Sequence, residues 1–438
     1  MSVRHATSKL ALFPSTAGIN REGHLEIGGC DTVAMAEEFG TPLYVFDEAS
    51  IRKNCAGFVT EFTGLYPDTT VLYSTKAFTN TALLRIIEEE GLGLDVVSGG
   101  ELGIANLAGF PMDRVYFPGN NKSAGELEMA LTLGINRIVV DNLHELEMLN
   151  EIAGDRQADI LLRLTPGIDP HTHRYNTTGI ADSKFGLTRS TWTAAMSKAM
   201  ACPNLNVAGL HFHLGSGILE MEPYRKAIEI VLEFAAEMKQ EYEFELKELD
   251  IGGGYGIRYT LEEEPPPISA WAEFLTNCIA GNCRRLKITL PKLIIEPGRA
   301  IVGPAGVALY RAGAVKDIPG TRRYVSVDGG MGDNIRHALY GARHEAMVAN
   351  KATGDDSDTV TISGKFCETG DILIRDIKLP PIKAGDIIAV AGCGAYCLPT
   401  ASNYNASFRP AVVMGRDGSA RLIRRRETLE DLTRYDVI

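Results

Sequence analysis

The stretch Val71-Leu72-Tyr73-Ser74-Thr75-Lys76 carries a short apolar, strand-like run into a lysine. Lysine is almost never fully buried unless it is paired, and burial disfavours its ammonium form. Lys76 is therefore either a surface residue just past a strand end or a desolvated, reactive amine. Three other stretches bear on the choice. Gly252-Gly253-Gly254-Tyr255-Gly256-Ile257 follows a strand-like run, but Ile257 stands where the third glycine of the dinucleotide fingerprint belongs. What remains is a tight turn, or a place where backbone N–H groups approach a phosphate closely. Glu296-Pro297-Gly298-Arg299 sets a carboxylate and a guanidinium three apart. That is either a structural salt bridge or a carboxylate able to hold a protonated ring nitrogen, beside an arginine able to bind an anion bidentately. His211-Phe212-His213 puts two imidazoles on one strand face, a pair that suits zinc. The other strand-like runs end in lysine, asparagines, glycines and the Glu296–Arg299 pair, a poor ligand set, so no metal is expected. His171 and His173 form a second H-x-H in a stretch that reads as loop.

Positioning these residues requires a scaffold, and the chain spells one. Short β-branched runs at 71–77, 93–98, 114–119, 137–142, 159–165, 207–215, 248–256 and 292–299 alternate with helical patterns such as TALLRIIEEEGLG and AGELEMALTLG. Strands alternating with helices imply a parallel sheet, and eight such units match a TIM-type (β/α)8 barrel. A doubly wound open sheet is the competing α/β arrangement. The barrel places active groups at the C-terminal strand ends. Polar residues do gather there: Lys76, Asp95 with Ser98, Asn120 with Asn121, Asn142, Arg163, His213, Gly252 to Gly254, and Glu296 with Arg299. Beyond about residue 310 the texture changes to strand-like runs (RRYVSVDGG, TVTISGKFC, GDIIAVAGCGAY, ARLIRRRETLED), which suggests a separate all-β domain over 311–438. The barrel is assigned to 46–310. Residues 1–45, with HLEIGG and PLYVFD, either join the β-domain or lead into the barrel.

Composition narrows the partners. The 438 residues carry a net charge of −12, which argues against nucleic acid or an anionic membrane as partner. The eight cysteines form no CxxC pair, and thiols this sparse suit a reducing cytosol. No apolar run approaches a membrane span, and MSVRHATSKLALFPSTAG lacks the apolar core of a signal peptide. A cytoplasmic location is expected.

Lysine, a glycine-rich anion cradle, a carboxylate and an imidazole at one barrel mouth resemble a pyridoxal 5'-phosphate site, where lysine forms a Schiff base and the carboxylate keeps the pyridine nitrogen protonated. Together with VVSGGEL (96–102), GNNKS (119–123), TGIADSKFG (178–186), SVDGGMGDNIRHALYG (326–341), CETGD (367–371) and the GAY and SNYN segments, the chain resembles the fold-type III decarboxylases, and within them the branch acting on diaminopimelate. The resemblance covers nearly the whole chain. It implies a barrel plus a β-domain formed from both chain ends, a homodimer with shared active sites, and release of CO2 from meso-2,6-diaminopimelate to give L-lysine.

The same resemblance assigns roles. Lys76 would be the Schiff-base lysine, His213 would stack on the pyridine ring, and Glu296 would bind its nitrogen. Ser216, Gly252, Gly253, Gly254, Arg299 and Tyr396 would surround the phosphate or the substrate. Arg336 and Tyr340 would hold substrate carboxylate. Cys367 and Glu368 would reach in from the second subunit, Cys367 as proton donor and Glu368 as ligand of the distal amino group. Gly217, Phe78 and the Cys397, Pro399, Thr400 group depart from the family's pattern. Cys393 and Cys397 read as buried small apolar residues. Two alternatives stay open. One is a sister decarboxylase of ornithine, lysine, arginine or a carrier-bound amino acid; Arg336 and Tyr340 oppose it, since a cation repels a terminal amine. The other is a non-catalytic binder, which would have no need of Cys367.

Overall fold

The structure, a computed structural model, describes residues 9–170, 177–180 and 182–437. His171 and His173 lie outside the described residues. The chain divides into two compact units, one of residues 55–256 and 265–299, the other of residues 1–54, 257–264 and 300–438.

The first unit is a closed barrel of eight parallel strands. They are β1 (Thr69–Ser74), β2 (Gly93–Asp95), β3 (Val115–Phe117), β4 (Arg137–Val140), β5 (Ala158–Arg163), β6 (Leu205–His211), β7 (Glu248–Asp250) and β8 (Lys292–Ile295), with β8 pairing back onto β1. All eight strand-like runs of the sequence are present, and the open-sheet alternative is excluded by the closure. The strands are short and almost wholly buried because barrel residues face either the interior or the helix ring. Leu72, Tyr116, Val139, Leu161, Ala208 and Ile294 pack together inside. Gly209 of β6 is required by closeness alone: a Cβ there would lie 1.9 Å from the Glu248 carbonyl oxygen.

Helices follow the strands, and their starts explain part of the polar ring. Ser98 caps the helix Gly99–Ala108 by accepting from Glu101 N–H, and Asn142 caps Leu143–Ala153 by accepting from Glu145 N–H. Ser123 and Glu126 form a capping box on Ala124–Leu133. These short polar side chains satisfy orphan helix donors. They are at strand ends for that reason, not for chemistry.

The second unit is mostly sheet. Nine strands form one sheet and three short ones another. Strand Leu43–Asp47 sits centrally, antiparallel to Gly306–Ile318 and parallel to Ala411–Arg416. The N-terminal residues are thus built into the β-unit rather than leading into the barrel. Residue 45 lies within Leu43–Asp47, and residue 310 within Gly306–Ile318. The core of this unit draws Leu25, Ile27, Val45, Val307, Leu309, Ala389 and Val413 from both ends of the chain.

Candidate active site

Lys76 occupies a single 3-10 turn, Thr75–Ala77, directly after β1. Its Nζ donates to Asp95 Oδ2 at 2.8 Å, and Ser74 Oγ donates to the same oxygen at 2.5 Å. The amine is not fully desolvated, as about a third of the side chain (33%) stays exposed. The amine is paired with a fully buried carboxylate. Burial and the charge of Glu296 push the Asp95 acid upward; Lys76 and Ser74 pull it back.

Two residues beyond β6, His213 accepts at Nδ1 from the N–H of Gly253, 3.2 Å away. Burial, then the positive charge of Lys76, push its imidazole well below the usual 6.5. It is a neutral, flat surface at neutral pH. The glycines beside it are dictated by space and backbone. A Cβ on Gly252 would lie 2.6 Å from His213 Nδ1; one on Gly253 would lie 2.0 Å from the Glu296 carbonyl oxygen. Gly254 has φ of 107°, a conformation that L side chains rarely adopt. Tyr224, held edge-on by Trp271, donates its hydroxyl to the Gly253 carbonyl and fixes the turn.

Glu296 follows β8 and is buried. Its Oε1 has no hydrogen-bond partner, and His211 Nε2 lies 3.4 Å from it. Burial pushes this carboxyl up, but His211, followed by Lys76 and His213, holds it below the ordinary carboxylate range. Arg299 donates from Nη2 to Ser216 Oγ at 2.8 Å and from Nε at 3.2 Å. Gly217, next to Ser216, has φ of 77° and open space around its Cβ position, so backbone shape rather than crowding suits it to glycine. Phe78 is buried one residue past the Lys76 turn.

A pyridoxal phosphate has three needs: an amine for its aldehyde, an anion for its ring nitrogen and N–H-rich space for its phosphate. The barrel residues offer each. Lys76 has a reachable amine, Glu296 an unpartnered buried oxygen, and the Gly252–Gly254 turn with Ser216 and Arg299 an anion cradle. The residues fit the group.

The β-unit holds the remaining sequence candidates. Arg336 opens the short helix Arg336–Tyr340, is buried (5% exposed), and lies 4.7 Å over the Tyr259 ring. Its Nε and Nη1 have no hydrogen-bond partner. Tyr340 is four residues on, on the same helix face. Cys393 and Cys397 are buried as expected, and the Arg336 charge acts on both. Burial raises the Cys397 thiol, while a hydrogen bond from Cys393 and the Arg336 charge bring it below its usual value. Between them Tyr396 adopts φ of 61°. Cys367 and Glu368 are exposed; the Cys367 N–H donates to Asn405 Oδ1 at 3.0 Å and Tyr404 Oη donates to Glu368 Oε1 at 2.7 Å.

Four functional candidates escaped the sequence reading or were noted without a role. Asp95 and Arg163 were visible as strand-end polar residues. Arg163 donates to Asp141 Oδ1 at 3.1 Å, whose other oxygen takes the Gly186 N–H. Asp250, the last residue of β7, gave no signal beyond its place, and His211 was weighed only as a zinc ligand.

Comparison with known proteins identifies the family. Residues 48–303 match the family described as pyridoxal-dependent decarboxylase, pyridoxal binding domain. The chain is 45% identical to the diaminopimelate decarboxylase of Bacillus subtilis over 96% of its own length and 97% of that protein. It is 44% identical to the diaminopimelate decarboxylase of Synechocystis, covering 98% and 93%. The crystal structure of the M. jannaschii diaminopimelate decarboxylase in complex with L-lysine superposes with a TM-score of 0.90 at 34% identity, over 97% of this chain and 98% of that one. Barrel, site chemistry and near-full-length similarity place this chain in the diaminopimelate decarboxylase family of pyridoxal-dependent decarboxylases.

Proposed function

We propose that this chain removes one carboxylate of meso-2,6-diaminopimelate to give L-lysine and CO2, with pyridoxal 5'-phosphate as cofactor. The observation that carries the substrate choice is Arg336. A buried guanidinium with two nitrogens lacking a protein acceptor is a costly arrangement, and it becomes favourable once a second carboxylate fills it bidentately. A monocarboxylic diamine acid would bring an ammonium to that place instead.

When bound, the cofactor supplies an electron sink for the pair left behind as CO2 departs. The protein residues do the rest. Lys76 would hold the group through its amine, and Asp95, 2.8 Å from Nζ, is placed to exchange a proton with that nitrogen. Glu296 would hold the ring nitrogen and His213, neutral through burial, would cover the ring face without adding charge. Ser216, Arg299 and the Gly252–Gly254 amides would bind phosphate, with Tyr396 at the phosphate or the substrate. Tyr340 would assist Arg336 at the second carboxylate. Cys367 would deliver the proton to Cα, and Glu368 would bind the distal amine, both from the second copy of a homodimer. Their exposure supports reaching another chain. Among the described residues no helix is long and apolar enough to cross a membrane, and a cytoplasmic biosynthetic enzyme is the reading we adopt.

The test is CO2 release with added cofactor over meso-diaminopimelate, L-lysine, L-ornithine and L-arginine. The expected result is a kcat/KM for diaminopimelate at least about a hundredfold above the others, the scale of one lost charged partner. Preference for a monocarboxylic substrate overturns the assignment.

A further inference from the structure

Behind the Glu296 carboxylate lies a group of side chains that the proposed reaction does not use. His211 ends β6 and Asp250 ends β7, and the two residues pair in register. One ligand atom each of His211, Asp250 and Glu296 lie within 4.8 Å of one another, and all three residues are buried. Asp250 Oδ1 accepts from Gly252 N–H at 2.9 Å, so its carboxyl is oriented by the same turn that forms the anion cradle. Its other oxygen, both His211 ring nitrogens and Glu296 Oε1 have no hydrogen-bond partner. Four unsatisfied polar atoms this close in a dry interior are costly unless protons are shared among them.

We propose that His211 and Asp250 are positioning residues that both donate hydrogen bonds to Glu296, fixing its carboxylate in orientation and charge for a ring nitrogen. This inference rests on the cofactor reading above. The groups facing Glu296 are His211 and His213 from the β6 side, Asp250 from β7, Lys76 after β1 and Asp95 of β2. Only one of the neighbouring acids can keep its charge beside Glu296 without strong repulsion, and Asp95 has Lys76 for that purpose. Asp250 has no cation against it among the described residues. Burial, with the Glu296 charge next, pushes its acid well above the usual value, which makes it a donor rather than an acceptor toward Glu296. His211 Nε2, 3.4 Å from Glu296 Oε1, supplies a second N–H. A carboxylate so held keeps its negative charge and cannot rotate away, as an electron-withdrawing ring nitrogen contact demands.

The substitutions separate this from a merely structural role. Asparagine reproduces a protonated aspartic acid, accepting from Gly252 and donating to Glu296. Asp250→Asn should therefore keep the cofactor dissociation constant within about twofold, whereas Asp250→Ala should raise it about tenfold or more. His211→Phe keeps the ring shape and loses the donor; it should weaken cofactor binding by a similar factor and shift the pH titration of the bound cofactor's visible absorbance. His211→Gln, which retains an N–H, should recover most of both. Diaminopimelate KM should stay near that of the parent while kcat falls in His211→Phe. Equal cofactor affinity and an unchanged absorbance titration in His211→Phe and Asp250→Ala overturn the inference. Stoichiometric zinc on the purified parent that disappears in His211→Phe also overturns it, in favour of a metal at the triad. A parent that takes up no cofactor at all is a different failure, which removes the reading of the site and the inference with it.

Discussion

At the scale of single residues the site is governed by where charge is tolerated. Lys76 Nζ is paired with the buried Asp95 carboxyl, and His213 is pushed toward its neutral form because it is buried next to Lys76. Replacing Lys76 with alanine should cut CO2 release from diaminopimelate by a thousandfold or more, on the order of 4 kcal/mol in the barrier; a radiometric CO2 assay that finds substantial turnover in this variant removes Lys76 from the chemistry. His213 gives a second, stability-based expectation. Its folded value lies below the unfolded 6.5, so its contribution to stability is complete above that pH and is lost as pH falls toward the folded value. Urea unfolding of cofactor-free His213→Gln between about pH 5 and 7 should show a shallower acid loss than the parent. An equal slope means His213 is solvated in the native state. Lys76, His213 and Glu296 were legible in sequence because each interrupts an apolar run at a strand end. Asp250 and His211 were not, since a polar residue that ends a short strand looks the same whether it faces solvent or the dry side of a carboxylate.

Elements set these residues at their distances. The Gly252–Gly254 turn, braced by Tyr224, brings backbone N–H groups and His213 together, and the sequence showed this as three adjacent glycines. A methyl group on Gly253 meets the Glu296 carbonyl, so Gly253→Ala must displace β8's end; we expect loss of cofactor affinity of at least tenfold, read by absorbance titration, with overall helix content kept. In the β-unit, Asp333 joins Tyr44 of strand Leu43–Asp47 to Tyr310 of strand Gly306–Ile318 through hydrogen bonds of 3.1 and 2.5 Å. Burial pushes its acid up to about 6. A raised acid contributes most below its unfolded value of 3.8 and loses that contribution as pH rises through about 6. The stability difference between parent and Asp333→Asn should therefore move against the parent by on the order of 3 kcal/mol from pH 4 to 7, measurable by denaturant titration; a pH-independent difference excludes titration of Asp333. No sequence pattern announces this junction, because Tyr44 lies 289 positions from Asp333 and each member, alone, is an ordinary strand or turn residue.

For the molecule as a whole the barrel was the legible part. Eight strand–helix repeats follow one another without interruption, so local periodicity and connection order both point to the same closed sheet. The β-unit was legible only in texture, since its pairings join distant residues. The proposed sharing of sites between two copies makes a separate expectation at this scale. Mixing inactive Lys76→Ala with inactive Cys367→Ala and allowing subunits to exchange should restore about a quarter of parental activity, since half the dimers are mixed and each holds one intact site. No recovery after verified exchange places Cys367 and Lys76 of the same chain in one site.

The threading of the chain has a further consequence during synthesis. Barrel strands occupy one continuous stretch, Thr69 to Ile295, so that sheet can close while the ribosome is still adding the remainder. Strand Leu43–Asp47 is made earlier, yet its two neighbours are Gly306–Ile318 and Ala411–Arg416. A strongly apolar segment, LYVFD, therefore leaves the ribosome hundreds of residues before it has an edge to pair with. During that interval it is an unpaired strand of the kind that aggregates. A chain truncated after residue 305, which holds every barrel strand and neither neighbour of Leu43–Asp47, should contain a protease-resistant barrel while that strand remains cleavable and available to a chaperone.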